Sequence, residues 1–403
     1  MTTATQTIPV GYKRTEVGVI PNDWDVKICG ELGSFYKGKG ISSKDLVQDG
    51  LPCIMYGDIY VKFETKFSNP DFRINEITAA KSSQAKKGDL FFTGSGETAE
   101  EIGKCVVYQG NEDIYIGGDI IALTPNADID SLFLAYIQNS KMILSQKANL
   151  GQGYTVVHIY TEHIKSLKIP FPPTKTEQTA IATVLSDTDE LIEKLEKLIK
   201  KKKNIKQGAM QELLTGKRRL TGFSGKWAGK KISDICGKIT TGKLNANAMV
   251  EGGEYRFYTC AKDYYQIDRY AFDTEALLVS GNGANVGYIH YYKGKFNAYQ
   301  RTYVLSDFSA DIQYIKLFMD RNLQERIRVE VNAGNTPYIT MGTLTEMQIM
   351  IPPTKDEQTA IATVLSNMDT EIEKLESQLG KYKNIKQGMM QKLLTGKIRL
   401  IKK

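Results

Sequence analysis

The stretch Pro172-Pro173-Thr174-Lys175-Thr176-Glu177-Gln178-Thr179-Ala180-Ile181-Ala182-Thr183-Val184-Leu185 decides how the chain is organised, because it occurs twice. It returns from Pro352-Pro353-Thr354-Lys355 to Leu365 at an offset of 180, and the match runs without a gap to Leu220 and Leu400. Of these 49 aligned pairs 36 are identical, whereas the segments ahead of the copies (roughly 1–171 and 221–351) are far less alike. Near-identical connectors beside divergent globular parts imply one fixed architectural task and two variable reading tasks.

Each copy predicts one long helix. Ile361, Leu365, Met368, Ile372, Leu375, Leu379 and Tyr382 alternate in steps of four and three, the seam of a coiled coil. The first copy supplies Ile181, Leu185, Thr188, Ile192, Leu195 and Ile199 before Lys202 interrupts it. The paired prolines bar a helix from continuing backward, Thr174 and Thr354 are N-cap candidates, and Glu177 and Glu357 three residues on complete a capping box. Gly216 and Gly396 stand where the helices should end. Helices of about 35 to 40 residues are on the order of 50 to 60 Å long. Because the seams match, an antiparallel pair with pseudo-twofold symmetry is expected; the alternative is that each helix packs on its own domain.

The other segments are rich in short apolar runs broken by glycine and aspartate, as in Leu51–Tyr60, Gly88–Phe92 and Gly103–Tyr108, echoed by Ala276–Gly281 and Val286–Tyr292. Short strands with tight turns follow from that pattern. Each segment offers one helix, near Ser131–Gln146 and Ile312–Val329. Each then has a Gly/Gln/Asn/Tyr turn (Gly151–Thr155, Gly334–Tyr338) and a last strand running into Pro-Pro. The expected fold class is α+β: two β-rich globular domains separated by a long antiparallel two-helix coiled coil in an internal repeat. The expected boundaries are 1–171 and 216–351 for the globular domains, with 172–215 and 352–403 for the helices.

The bulk numbers exclude more than they assert. The chain has 403 residues, 41% hydrophobic and 25% charged, enough for two or three domains with real cores. A net charge of +7 suits an anionic partner without demanding one. Five scattered cysteines without a C-x-x-C pair fit reduced thiols, and His158, His163 and His290 form no ligand cluster. No basic-then-apolar leader and no stretch of about 20 apolar residues is present, so a cytoplasmic location is expected.

Catalytic motifs do not emerge. Gly94-Ser95-Gly96 is a lone G-x-G without the acidic partner of a dinucleotide fold, and Gly216-Lys217 and Gly396-Lys397 lack Walker spacing. Carboxylates are not grouped with a lysine as a metal-dependent nuclease requires, and the Pro-Pro pairs do not sit in the Asp/Asn-Pro-Pro-aromatic setting of an adenine methyltransferase. No catalytic residue and no metal site is assigned.

The ordering resembles the specificity subunit of type I restriction–modification systems. The repeated Pro-Pro-Thr-Lys-x-Glu-Gln-Thr-Ala-Ile-Ala-Thr-Val-Leu carries the resemblance, supported by Lys-Asn-Ile-Lys-Gln-Gly-x-Met-Gln-x-Leu-Leu-Thr-Gly-Lys at 203–217 and 383–397 and by the opening Tyr12–Trp24. It implies two target-recognition domains, each reading half of a bipartite asymmetric site in double-stranded DNA. It also implies helices that space them and dock two adenine-N6 methyltransferase (modification) subunits, with restriction/translocase subunits in the full complex. No cofactor is expected on this chain; S-adenosylmethionine, ATP and Mg2+ belong to the partners. A spacer of about 50 Å covers roughly 15 base pairs.

Base edges are read by amide, hydroxyl and basic side chains, and phosphates by basic groups. Loops bearing such residues beside glycine turns give the DNA-binding candidates. In the first domain these are Lys37, Lys39, Ser42, Ser43, Lys44, Tyr60, Lys62, Ser95, Gln152 and Tyr154. In the second they are Lys243, Asn245, Asn247, Lys262, Asn282, Asn285, Gln300, Arg301, Asn335 and Tyr338. The run Lys200–Lys203 reads first as a solvated helix face. Two other classes stay open: an atypical DNA nuclease or methyltransferase, and a coiled-coil adaptor that does not bind DNA.

Overall fold

The computed structural model describes residues 8–153, 155–330 and 337–401. Tyr154 and Asn335 lie outside the described residues. The two long helices span Lys175–Leu213 and Lys355–Leu393, 39 residues each. Both end as expected: Gly216 and Gly396 take left-handed φ values of +70° and +66°, which a side chain would resist. The chain divides into two compact units, each containing parts of both helices: one runs to Leu195 and resumes at Gln378, the other is Glu196–Ser377.

In unit 1 the main sheet orders its strands Gly33–Lys37, Ile120–Pro125, Leu90–Thr93, Cys105–Tyr108 and Lys66–Phe67. In unit 2 the order is Cys236–Thr241, Thr302–Phe308, Phe272–Ser280, Ile289–Ala298, Tyr255–Tyr258 and Tyr265–Ile267. The first four strands of each list share their order and antiparallel pairing, so the divergent segments are built on one scaffold. Unit 1 adds a second five-stranded sheet from residues 46–85 and Ile114–Ile116. Unit 2 has no such second layer among its described residues. In both, the last strand before Pro-Pro pairs with a strand near the start of its own segment, Lys168–Phe171 with Asp25–Ile28 and Gln348–Ile351 with Ala228–Lys231.

Two local expectations are corrected. Residues 131–146 do not form one helix: Ser131–Gln138 ends and Lys141–Leu150 begins after Asn139-Ser140. The Ser140 hydroxyl caps the second helix, the Asn139 side chain bonds both backbone groups of Cys105, and the buried Lys147 ammonium donates to the Gln138 carbonyl at 2.9 Å. The run Leu51–Tyr60 is strand only to Ile54; Tyr56–Val61 is helical, with Asp58 accepting the Met55 N–H.

The helix starts are core rather than free seam. Ile181 and Leu185 join the unit 1 core with Phe133 and Phe171, and Ile361 and Leu365 join the unit 2 core with Tyr314 and Ile351. Both arrangements weighed from the sequence are therefore present, each helix packing on its own domain first and on the other helix further along. In unit 1 Asp189 meets Lys386 at 2.5 Å and Thr188 lies against Met389; in unit 2 Lys206 pairs with Asp369 and Lys203 with Glu376. Rising numbers in one helix meet falling numbers in the other, so the pairing is antiparallel in each unit. Of the remaining seam positions, Leu195, Ile199 and Ile372 are buried, while Ile192, Met368, Leu375 and Leu379 are half-buried.

The repeated motif is an internal clasp. Thr174 and Thr354 accept the N–H groups of Glu177 and Glu357, but the carboxylates do not turn back to complete a capping box. Each is fully buried and grips an arginine. Glu357 takes Arg219 at 2.8 and 2.5 Å and the Trp227 indole N–H at 3.3 Å. Glu177 takes Arg399, which also reaches Asp23 at 2.9 Å and lies over the Trp24 ring. The next two residues continue the pattern. Gln178 and Gln358 accept the backbone N–H of Asp130 and Asp311, and Thr179 and Thr359 donate to the same two carboxylates, which cap the domain helices. Removing one partner of a buried ion pair leaves an uncompensated charge. Arg219→Met is therefore expected to destabilise unit 2 by about 3 kcal/mol, seen as a lower urea midpoint; an unchanged midpoint would mean that the clasp is dispensable.

Candidate functional site

In unit 2 five loops meet at one end of the six-stranded sheet. Gly281 donates to the Arg301 carbonyl (2.8 Å) and Ile339 to the Gly281 carbonyl (2.9 Å), while Gly283 bonds Pro337 and Gln300 bonds Leu244. Asn282 bridges to Tyr338. Loop 259–264 joins through side chains: the Cys260 thiol donates to Asn282 Oδ1 (3.2 Å), Asn285 donates to the Cys260 carbonyl (3.0 Å), and His290 Nε2 bonds the Ala261 carbonyl (2.9 Å). That last bond requires the Nε2 proton, and burial lowers the pKa of the imidazole from its usual range. The arrangement brings Lys262, Asn282, Asn285, Gln300, Arg301 and Tyr338 together, with Lys243, Asn245 and Asn247 on the loop that leads to Leu244.

Unit 1 repeats the frame with other residues. Gly94 donates to the Asp119 carbonyl (2.6 Å) and Ile159 to the Gly94 carbonyl (2.9 Å), as Gly281 and Ile339 do in unit 2. Ser95 pairs with His158 in the sheet register as Asn282 does with Tyr338. Gly38 and Lys39 bond Ile120 and Ile116, and a Cβ on Gly38 would meet the Gly117 carbonyl at 1.8 Å, so only glycine passes there.

Side-chain commitments divide the candidates. Tyr60 donates to the Ser95 carbonyl (3.0 Å) and accepts from Thr93 (2.7 Å); the buried Ser95 hydroxyl bonds His158 Nδ1 (2.9 Å). The Ser42 hydroxyl and N–H both go to Asp45, whose carboxyl they hold below the usual range. Lys62 is paired with Asp58 and Asp71 at 2.9 Å and covers the Phe72 ring. By contrast Lys37, Lys39, Lys44, Lys243, Lys262 and Arg301 are exposed and form no ion pair among the described residues; Ser43 and Gln152 are also exposed. Lys202 and Lys203 of the basic run pair with Glu371 and Glu376, so half of that run serves the helix pair.

Sequence reading missed Cys260, His290 and the ring cluster of Arg256, Tyr258, Tyr264 and Tyr292. The alternation in Tyr255-Arg256-Phe257-Tyr258 was a usable strand signal, but only the pairing with Phe296–Ala298 fixes the face. Among the described residues no group of three or more His, Cys, Asp or Glu could hold a metal, and no helix is long and apolar enough to cross a membrane.

Two copies of one polar, cation-rimmed loop frame, carried by one clasped helix pair, define a duplicated recognition protein. The family model for the type I restriction modification DNA specificity domain matches residues 21–207 and again 224–380, and the chain belongs to that family. The EcoDI specificity subunit of Escherichia coli is 37% identical over 169 residues, 42% of this chain and 37% of its own length. The MjaVIII specificity subunit of Methanocaldococcus jannaschii is 24% identical over 94% of both chains. The chain thus spans well under half of the EcoDI relative but nearly all of the other. The crystal structure of the type I system S subunit from M. genitalium has the same fold, with TM-score 0.64 at 16% identity, covering 92% of this chain and 96% of that one.

Of the five cysteines, Cys260 alone is not buried; burial pushes the Cys29 thiol up to about 12 and the Cys53 and Cys236 thiols to about 11. A maleimide at pH 7.5 is expected to label one thiol in the folded chain and none after Cys260→Ser, counted by intact mass; labelling that survives this substitution would contradict the burial pattern.

Proposed function

We propose that the chain is the sequence-specific DNA-binding subunit of a type I restriction–modification complex, a recognition chain rather than a catalytic one. Domains 1–171 and 216–351 each read one half of a bipartite, asymmetric site, and the helices at 172–215 and 352–403 set the spacing. The observation that carries this reading is the pairing of one backbone frame with two different sets of unpaired cations and amides. Lys37, Lys39 and Lys44 in one domain and Lys243, Lys262 and Arg301 in the other suit phosphates, with Asn245, Asn247, Gln152 and Gln300 at base-reading positions. Tyr60 and Ser95 act as frame, since their polar groups are spent internally. Duplexes selected by the full chain from a randomised pool should carry two separated motifs, and Arg301→Ala should relax only one of them; a single contiguous motif would refute the bipartite reading.

The helices also support partner docking. Some repeated residues serve the internal clasp, but Asn204-Ile205 with Gln207-Gly208, and their copies Asn384-Ile385 with Gln387-Gly388, do not. Ile205 and Ile385 are 47% and 40% exposed, and a Cβ on either glycine would meet nothing within 4 Å. An exposed isoleucine beside a mid-helix glycine, which costs about 1 kcal/mol against alanine, is explained by a twice-repeated contact. Each copy docks one modification subunit, whose S-adenosylmethionine supplies adenine methylation, while restriction subunits bring ATP- and Mg2+-dependent action in the cytoplasm. Ile205→Glu with Ile385→Glu should abolish co-purification of the modification subunits while leaving thermal unfolding unchanged; retained binding would move the docking face elsewhere.

A further inference from the structure

The two faces of the unit 2 sheet are treated differently. Leu277, Val279, Ile289 and Leu305 pack on the side of the helix Ile312–Glu330. On the other face a small cluster of Ala276, Leu278, Phe296, Ala298 and Val304 packs with the rings of Tyr258, Phe272 and Tyr292. The equivalent face of unit 1, with Phe91, Val106 and Tyr108, belongs to a domain that has a second sheet.

Parity puts the cluster on one face. Arg256 and Tyr258 pair with Phe296 and Ala298 on the neighbouring strand, which also carries His290 and Tyr292 at even spacing on that face. The Arg256 guanidinium sits 4.3 Å from the Tyr264 centroid and 4.5 Å from that of Tyr292, within the range of a cation–π contact to both. It forms no ion pair among the described residues. Beside it Tyr258 meets His290 in a tilted contact at 5.0 Å, and His290 meets Tyr288 edge to face at 4.8 Å. Tyr264 is 47% exposed. The stack joins the reading loops directly, since His290 bonds Ala261, and Lys262 lies between that residue and Tyr264.

From this geometry we infer that the Tyr264–Arg256–Tyr292 stack is a platform for an unpaired nucleobase, a second and distinct mode of DNA contact beside duplex reading. The inference rests on the reading that unit 2 binds DNA. A cation held against a tyrosine withdraws electron density from the ring, which favours stacking of an electron-rich purine on the exposed face. Arg256 and Lys262 supply the positive charge that the adjoining phosphate requires. Stacking of this kind tolerates any base sequence, because every base has a π-face.

The test uses the full chain, a single-stranded oligodeoxyadenylate carrying 2-aminopurine, and a duplex of equal length. The expected result is quenching of 2-aminopurine and a roughly 10-fold loss of single-strand affinity in Tyr264→Ala, little loss in Tyr264→Phe, and duplex affinity within about twofold throughout. Tyr160→Ala, an exposed ring in unit 1, serves as the control and should change nothing. Unchanged single-strand affinity in Tyr264→Ala overturns the platform, as does an equal loss for single strand and duplex, which would mark a phosphate contact only. If the wild-type chain bound no duplex at all, the DNA-reading function itself would fail, a different outcome from either.

Discussion

Everything in this chain hangs on two buried carboxylates. Glu177 and Glu357 have no exposure, and an unpaired carboxylate in that setting would be untenable. Each is neutralised by an arginine just past the end of a long helix, Arg399 for the first and Arg219 for the second. The arginine can arrive only if the helix has ended and turned, which the left-handed glycines Gly396 and Gly216 allow. Helix length, helix end and domain junction are thus tied to one ion pair in each unit. The desolvation cost makes such a pair a poor source of stability compared with an apolar substitute, but it fixes geometry.

That constraint gives the repeat a more specific cause than duplication. Glutamate, glutamine and threonine of the Glu-Gln-Thr triplet each have a partner: an arginine, an aspartate N–H and the carboxylate of that same aspartate. Asp130 and Asp311, lying in otherwise dissimilar segments, cap the domain helices and receive these contacts. Part of the identity within the helices therefore follows from the clasp, whose residues are the same in both copies, while residues at the loop end of each sheet largely differ.

The sequence revealed the architecture well and the site poorly, for physical reasons. Heptad spacing, proline entry and glycine exit are local signals, so the caps at Thr174 and Thr354 and the stops at Gly216 and Gly396 could be read, although the second helix ends at Leu393, well short of the expected boundary at 403. The role of Glu177 could not, because a capping box and a long-range ion pair begin with the same residues; only the position of Arg399, 222 residues away, decides between them. Loop candidates suffered in the same way. Lys62 and Lys37 look alike in sequence, yet one is spent on Asp58 and Asp71 and the other is unpaired. The aromatic face of unit 2 was invisible because strand pairing and the path of the loop carrying Tyr264, not composition, bring Arg256 against Tyr264 and Tyr292.

The central proposal is that the length of the helices sets the spacing between the two half-sites. Insertion of one heptad into each long helix, placed to keep the antiparallel pairs in register, lengthens each by about 10 Å, or about three base pairs of duplex. Mapping the sites bound by wild type and by the lengthened chain should show both half-site sequences unchanged and the gap between them wider by about that amount. An unchanged gap, with the half-sites still recognised, would contradict the account.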